Sequence, residues 1–469
     1  MKCNKWRNFS FFAMAFLIAG CQSYEAKPLD IGNYRNSLES RLLDIEPVAA
    51  FAERLSKKYG TPSNFDISDG ISPAEGEVIG LFYNPELRIA RLEAGVALAD
   101  FETAGLWEDP VFGFDGAEIS SPSAPFSYGI VGNLTIPISG RLKIEKVRAG
   151  SAYEMQLRQL VNAEWNVRSS LRAQWATWVG ATLQVELIHE VVEQLESIIA
   201  IASTLYEAGE INRVEHRLLQ VDLATYKILE TEIKLSLLQE EIKLVSQMGL
   251  SPKNAKLLLS EFPEVPNSQV DNETIHLIDA NTELAILFAK YQTAEETLRL
   301  EIKKQYPDIV FGTGYGSEFN DHRVLFGLKV PLSIWNRNQS GIAHARSKRE
   351  VVKAEAETTF ARLFRELTLA NTTLHIKKIQ FDSFESEIIP MLAAQTSDIE
   401  KIVALGEVDT FILLETVTRQ FKAKQKLLKL NVDQMHAAIT LHRILGPVYQ
   451  LDPSPINREI RTDTLGGVQ

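Results

Sequence analysis

Residues 138–251 contain no proline, although the chain has 18. Between residues 141 and 208 the only glycines are Gly150 and Gly180. With so few breakers, nothing local ends a helix there, and turn-rich β structure is excluded. Cysteine is almost as scarce. The only two are Cys3 and Cys21, too few for a disulfide framework or a cysteine metal site. Beyond the first twenty residues no apolar run is long enough for a membrane-spanning helix. Bases are outnumbered, 49 against 61 acids, so the formal charge is −12 and a nucleic-acid partner is excluded. The eight histidines form no His-x-x-x-His or His-Glu-x-x-His pattern, and His436 and His442 lie six apart, a poor spacing for a shared ligand. No Gly-x-Ser-x-Gly occurs. Gly312-x-Gly314-x-Gly316 lacks the lysine and helix start of a phosphate loop. These absences point away from an enzyme, a cofactor or a resident metal.

The chain opens with Lys2, Lys5 and Arg7, then an apolar run over residues 9–19 that is too short to span a bilayer. Leu17-Ile18-Ala19-Gly20 before Cys21 resembles a bacterial lipoprotein signal. That likeness implies removal of residues 1–20, lipid on Cys21 and, with Gln22 next, sorting to the outer membrane. An ordinary secretory leader is the alternative. Without its three leader bases the chain carries −15.

Trp178, Ala181, Val185, Ile188, Val192, Leu195, Ile199, Ala202 and Tyr206 recur at alternating three- and four-residue steps. A period near 3.5 is a coiled-coil seam. A helix over 141–208 would be ~100 Å long. Gly209 suits the left-handed position after it, and Asn212 with Glu215 forms a capping box for a return helix to about Met248. Val214, Leu218, Val221, Thr225 and Ile228 continue the heptad on that helix. Upstream, helix is expected near residues 48–58 and over 73–105, with Pro85 at a first-turn position.

After the prolines of residues 252–272 the pattern begins again. Asn281-Thr282-Glu283-Leu284 answers Asn84-Pro85-Glu86-Leu87, and the turn at Gly406 answers that at Gly209. Asn84, Gly209 and Gly249 each recur 197 residues later, the mark of an internal duplication. The second long helix, 340–405, has a seam through Phe360, Leu363, Leu367, Ala370, Leu374, Phe381, Phe384, Ile388 and Met391, and Pro390 should kink or open it. Each half pairs one long helix with two shorter ones, which stacked end to end match its length.

Each half also holds two strand candidates, over about 109–138 and 307–334. Tyr128, Ile130, Leu134, Ile136 and Ile138 alternate with Ser127, Gly129, Asn133 and Thr135. Val324, Phe326, Leu328, Val330, Leu332 and Ile334 oppose Arg323, Gly327 and Lys329. Alternation of this length is the signature of an outer-membrane barrel. Four strands cannot close one, so an oligomer is required: a dimer would give eight strands, a trimer twelve and room for a lumen.

Asn84-Pro85-Glu86-Leu87, Tyr206-x-x-Gly209, the duplication and the run from Val330 to Gly341 together resemble the TolC-like outer membrane factor family, over nearly the whole chain after the leader. The run looks most like the lipidated branch that serves RND-type heavy-metal efflux. The resemblance implies a mainly α fold with a small membrane β part: a homotrimer whose periplasmic α-helical barrel continues into a twelve-stranded β-barrel. It implies a passive duct in the Gram-negative outer membrane, anchored in lipid, with a periplasmic adaptor and an inner-membrane RND-type transporter as partners. Docking falls to the turns at Tyr206, Gly209, Glu210, Gly406 and Glu407, and a periplasmic entrance to Glu415. Val403 stands where the first turn has Tyr206, and Ile412 fills a second position where the family places an acid. The segments read as 1–20 signal, 21–75 leader and equatorial segment, 76–250 first repeat with its turn at 209–212, 251–272 equatorial linker, 273–447 second repeat with its turn at 406–409, and 448–469 tail. Two further functions fit the same residues, a duct for one-step protein secretion and a lipid-tethered coiled-coil scaffold without a pore.

Overall fold

The computed structural model describes residues 24–41, 45–59, 65–117, 127–265, 272–318, 321–332, 334–404 and 409–447. Two compact units are present. The first contributes one short helix, α1 (Ile31–Ser40), started by Asp30, whose carboxylate accepts from Asn33 N at 2.9 Å. No residue of α1 is buried.

The second unit begins with α2 (Glu46–Tyr59), α3 (Pro73–Tyr83) and α4 (Pro85–Thr103). The single helix expected over 73–105 is therefore two. Asn84 closes one and caps the other, and Pro85, without an N–H, starts α4. Strands β1 (Val111–Ala117) and β2 (Ser127–Ile136) lead into α5 (Arg141–Ala208), whose bounds match the expectation from missing proline. Helix α6 (Arg213–Gln247) returns, and a 3-10 turn (Pro252–Leu257) follows. The second half repeats the order: α7 (Glu273–Ala280), α8 (Thr282–Lys303), β3 (Ile309–Glu318), β4 (Asp321–Lys329), α9 (Gln339–Ser383), a π turn (Phe384–Ile388), α10 (Ile389–Ala404) and α11 (Thr410–Leu445). The opening foreseen at Pro390 is this π turn, in which Ile389 N–H donates to Phe384 O.

Helix α5 is the central column. It packs against α3, α4, α6, α8 and α11, whereas α9 packs chiefly against α8 and α11. Ile188, Val191, Leu195, Ile198 and Ala202 of α5 meet Leu219 and Ile233 of α6 and Val417 and Phe421 of α11. A second cluster joins Leu277, Leu284, Leu363, Leu367, Ala370, Leu441, Ile444 and Leu445. The heptad read on α6 does not do this packing. Val214, Leu218, Val221 and Ile228 are exposed, and Leu219, Leu223, Tyr226, Leu229 and Ile233 form the internal seam instead. Helix α6 is thus apolar on two faces, and a heptad cannot say whether its partner lies in the same chain.

The duplication holds at the level of single hydrogen bonds. Asn84 Oδ1 accepts from Glu86 N and Leu87 N, and its Nδ2 donates to Gln247 O at 2.8 Å. Asn281 Oδ1 accepts from Glu283 N and Leu284 N, and its Nδ2 donates to Ile444 O at 2.7 Å. Each asparagine caps the helix it starts and ties it to the carboxyl end of another, so α6 meets α4 and α11 meets α8 end to end. The segment before α3 also meets the stretch after the 3-10 turn, through Ile71 N to Leu257 O and Leu259 N to Ile71 O.

Candidate functional site

Two features stand out: the helix turns at one end of the long columns and the sheet at the other. At the first turn Gly209 has φ +82°, the left-handed angle its position demands. Its N–H donates to Tyr206 O at 3.1 Å and Glu210 N–H to Leu205 O at 2.9 Å, which satisfies the last carbonyls of α5. Asn212 Oδ1 accepts from Val214 N and Glu215 N, and Glu215 reaches back to the Asn212 backbone, completing the expected box. The Tyr206 ring stacks on His216 at 5.1 Å with planes 7° apart, and His216 Nε2 lies 3.0 Å from Ser203 Oγ. No sequence pattern pointed to His216; it is found only because the turn folds α6 back on α5.

Gly406 and Glu407 lie outside the described residues, as does Cys21. Asp409 is described and caps α11 through Phe411 N and Ile412 N. Ile412 stands at the position of Glu215, so this cap lacks the return hydrogen bond. Glu415 is exposed and pairs with Arg419 on its own helix at 2.6 Å.

The sheet is antiparallel throughout, in the order β1-β2-β3-β4, so β2 and β3 join the two repeats and β1 and β4 leave open edges. Cross-strand register assigns its faces. Phe112, Gly132, Thr313 and Phe326 form one row and Phe114, Ile130, Tyr315 and Val324 the next. Leu134, Phe311 and Leu328 extend this apolar face, and Phe326 is 75% exposed upon it. The other face carries Gly113, Gly129, Gly312, Gly314, Gly316 and Gly327 with Asp115, Asn133, Thr135, Arg323 and Lys329, interrupted by Val111, Val131, Val310 and Leu325. The glycine run is therefore strand. Strand β4 stops at Lys329, and Val330, Leu332 and Ile334, expected to prolong it, lie beyond its end. Pro331 has no N–H for the ladder. Ile138 likewise falls in the turn after β2.

Arg141, at the start of α5, ties the sheet to the helices: it donates to Glu108 Oε1 at 2.7 Å and Asp308 Oδ2 at 2.9 Å, just before β1 and β3. Buried polar groups elsewhere serve packing. His442 packs beside Trp165, whose Nε1 donates to Arg443 O, and burial with the nearby Arg172 charge lowers the His442 pKa to about 4. His436, 2.9 Å from Thr177 Oγ1, is also lowered by burial, against the pull of Asp433. Among the described residues no three His, Cys, Asp or Glu gather as metal ligands, and no helix is long and apolar enough to cross a membrane.

No family model matches the sequence. A curated relative, the cobalt-zinc-cadmium resistance protein CzcC of Cupriavidus metallidurans, is 22% identical over 67% of this chain and 76% of its own. The CmeC outer membrane channel of Campylobacter jejuni superposes with a TM-score of 0.70 at 13% identity, covering 95% of this chain and 97% of that one. The MtrE outer membrane channel of Neisseria gonorrhoeae gives 0.66 at 14%, over 82% and 93%. The two solved relatives are outer membrane channels. The chain has the fold of the TolC-like outer membrane factors and is similar in sequence to one of them.

Proposed function

We propose that the protein is the outer-membrane channel of a tripartite efflux pump, a passive duct between a periplasmic adaptor with its RND-type transporter and the exterior. The observation that carries this reading is the sheet, with an uncovered apolar face, a small and polar opposite face, and two open edges. Open edges cannot rest in lipid, so further copies close the barrel, and three give twelve strands. The duplication supports one arrangement of the copies. Within the chain α5 packs on α8 and α11. The equivalent partners of α9 are α4 and α6 of a neighbouring copy. The apolar residues those contacts need are all exposed: Ile89 on α4, Val221 and Ile228 on α6, and Leu369 and Ile376 on α9. The relative's name favours divalent metal cations as cargo, with other small toxic compounds as the alternative. Acids at the turns, Glu207, Glu210, Glu407 and Asp409, with Glu415, give a cation-favouring mouth. Lipid on Cys21 adds a tether, checked by the intact mass of Cys21→Ser.

Cross-linking in native membranes should give trimers, and planar bilayers should show cation-favouring conductance. Val221→Glu with Ile228→Glu should leave helical monomers without conductance. Wild type that yields only monomers or dimers refutes the ring. Loss of the protein should raise sensitivity to divalent transition metals, and unchanged sensitivity removes them as cargo. For the docking turns, Gly209→Val with Gly406→Val should keep trimers but lose adaptor cross-linking. A β-branched residue at a left-handed angle costs roughly 1–2 kcal/mol, small against the bundle. Normal cross-linking by that variant places docking elsewhere.

A further inference from the structure

Three contacts mark the seam between α5 and α11. His436 Nε2 lies 2.9 Å from Thr177 Oγ1. Val432 packs where a Cβ on Gly180 would fall. Lys424 Nζ donates to both carboxylate oxygens of Glu190, at 2.9 and 3.0 Å. As the position on α5 rises from 177 to 190, that on α11 falls from 436 to 424, so the helices run antiparallel in one register. Helices α5 and α11 belong to different repeats. Their seam is therefore the template for the one between α9 of one copy and α6 of the next. The duplication carries it over position by position. One repeat on from Glu190 is Glu387, and one repeat back from Lys424 is Lys227. Both keep their charge. The other four positions have all changed: Thr177 answers to Leu374, Gly180 to Lys377, His436 to Gln239 and Val432 to Leu235. An ion pair kept while its surroundings changed points to a contact that is made twice.

Both charges are available. Glu387 stands in the π turn, is exposed and has no hydrogen-bond or ion-pair partner among the described residues. Lys227 is half exposed and reaches Glu196 on α5 at 2.6 Å. An ammonium has three donors, so a second carboxylate can share it. Leu235 and Ile242, farther along the same side of α6, are exposed as well. Lys377 fills the place of Gly180, so α9 and α6 cannot approach there as closely as α5 and α11 do. Ten residues nearer the turns, the long side chains of Glu387 and Lys227 can span the wider gap.

We propose that Glu387 of each copy pairs with Lys227 of the next, an ion pair between subunits that fixes the axial register of α9 against α6. The pair rests on the ring proposed above and names two residues at its seam. An exposed ion pair adds little stability. It selects instead, because only one register brings the two charges together.

A carbodiimide joins an amine to a carboxylate only where the two are in contact, so the full protein can be tested in native membranes without substitution. Linked peptides carrying Lys227 and Glu387 should appear in bands of two or more copies and be absent from the one-copy band. Lys424 joined to Glu190 should appear in the one-copy band and is the internal standard. Glu196→Gln releases Lys227 and should raise the yield of the intersubunit link. Lys227→Glu should abolish that link, and Lys227→Glu with Glu387→Lys should restore it. A longer amine-reactive cross-linker reports the ring separately. If it yields trimers while no Lys227–Glu387 link forms in wild type or in Glu196→Gln, the pair is overturned and the ring stands. A link found in the one-copy band places the contact within the chain and also overturns the pair. If the longer reagent yields only single copies, both readings fall.

Discussion

The two long helices descend from one pattern but are buried to different degrees. Helix α5 buries eighteen residues along its length, α9 only five. The positions that differ are telling. In the first repeat Gly76 and Gly80 leave space that Trp175 and Leu171 fill, and a Cβ at either glycine would collide with those side chains. One repeat on, the four positions are Glu273, Leu277, Thr372 and Thr368. There Asn371 Nδ2 bonds Glu273 Oε2, and both threonines bond back to their own helix. One repeat is built to be a core, and in the ring proposed above the other keeps a surface for its neighbour. A duplicated fold thus comes to bury its two long helices unequally by changing a few side-chain volumes while the backbone caps stay fixed.

The largest test of this difference is Trp175→Ala against Thr372→Ala. The first removes a fully buried indole and should cost about 3–5 kcal/mol; the second should stay within about 0.5 kcal/mol. Guanidinium midpoints followed by far-ultraviolet circular dichroism measure both, and equal shifts would erase the distinction.

A smaller effect is acid sensitivity at His442, where α11 meets α5. Its folded pKa of about 4 lies below the ordinary 6.5, so the unfolded chain takes the proton first. The stability from the neutral ring is complete above pH 6.5 and falls as pH drops toward 4, by about 2–3 kcal/mol. Midpoints for His442→Gln should vary less across that interval than wild type, and identical slopes would exclude the residue.

The smallest sharpens what the repeats share. Asn84→Ala and Asn281→Ala each remove the same three hydrogen bonds, at a buried site, so each should cost about 1–2 kcal/mol in the same assay. A difference of more than about 1 kcal/mol would mean that the matched geometry hides unequal surroundings.

Much of this was legible in the chain because it is local. Missing proline and glycine allowed α5 its length, Gly209 and Asn212 fixed the turn, and the period-2 alternation named both faces of the sheet. Asn84 shows the limit: the sequence put Pro85 in a first turn and repeated Asn84 at Asn281, but did not show that the Asn84 amide would reach Gln247, 163 residues away. The Tyr206–His216 stack and the Arg141 bridge were hidden for the same reason.

The sequence by itself determined periods, caps, breakers and the duplication, since each depends on residues within a few turns of one another. Tertiary structure alone decided which of two apolar faces of α6 turns inward, that β2 and β3 join the repeats, and that α5 rather than α9 becomes the central column. Those outcomes depend on which surfaces compete for the same partner, and apolar burial is non-directional, so a stripe of leucines and valines carries no address.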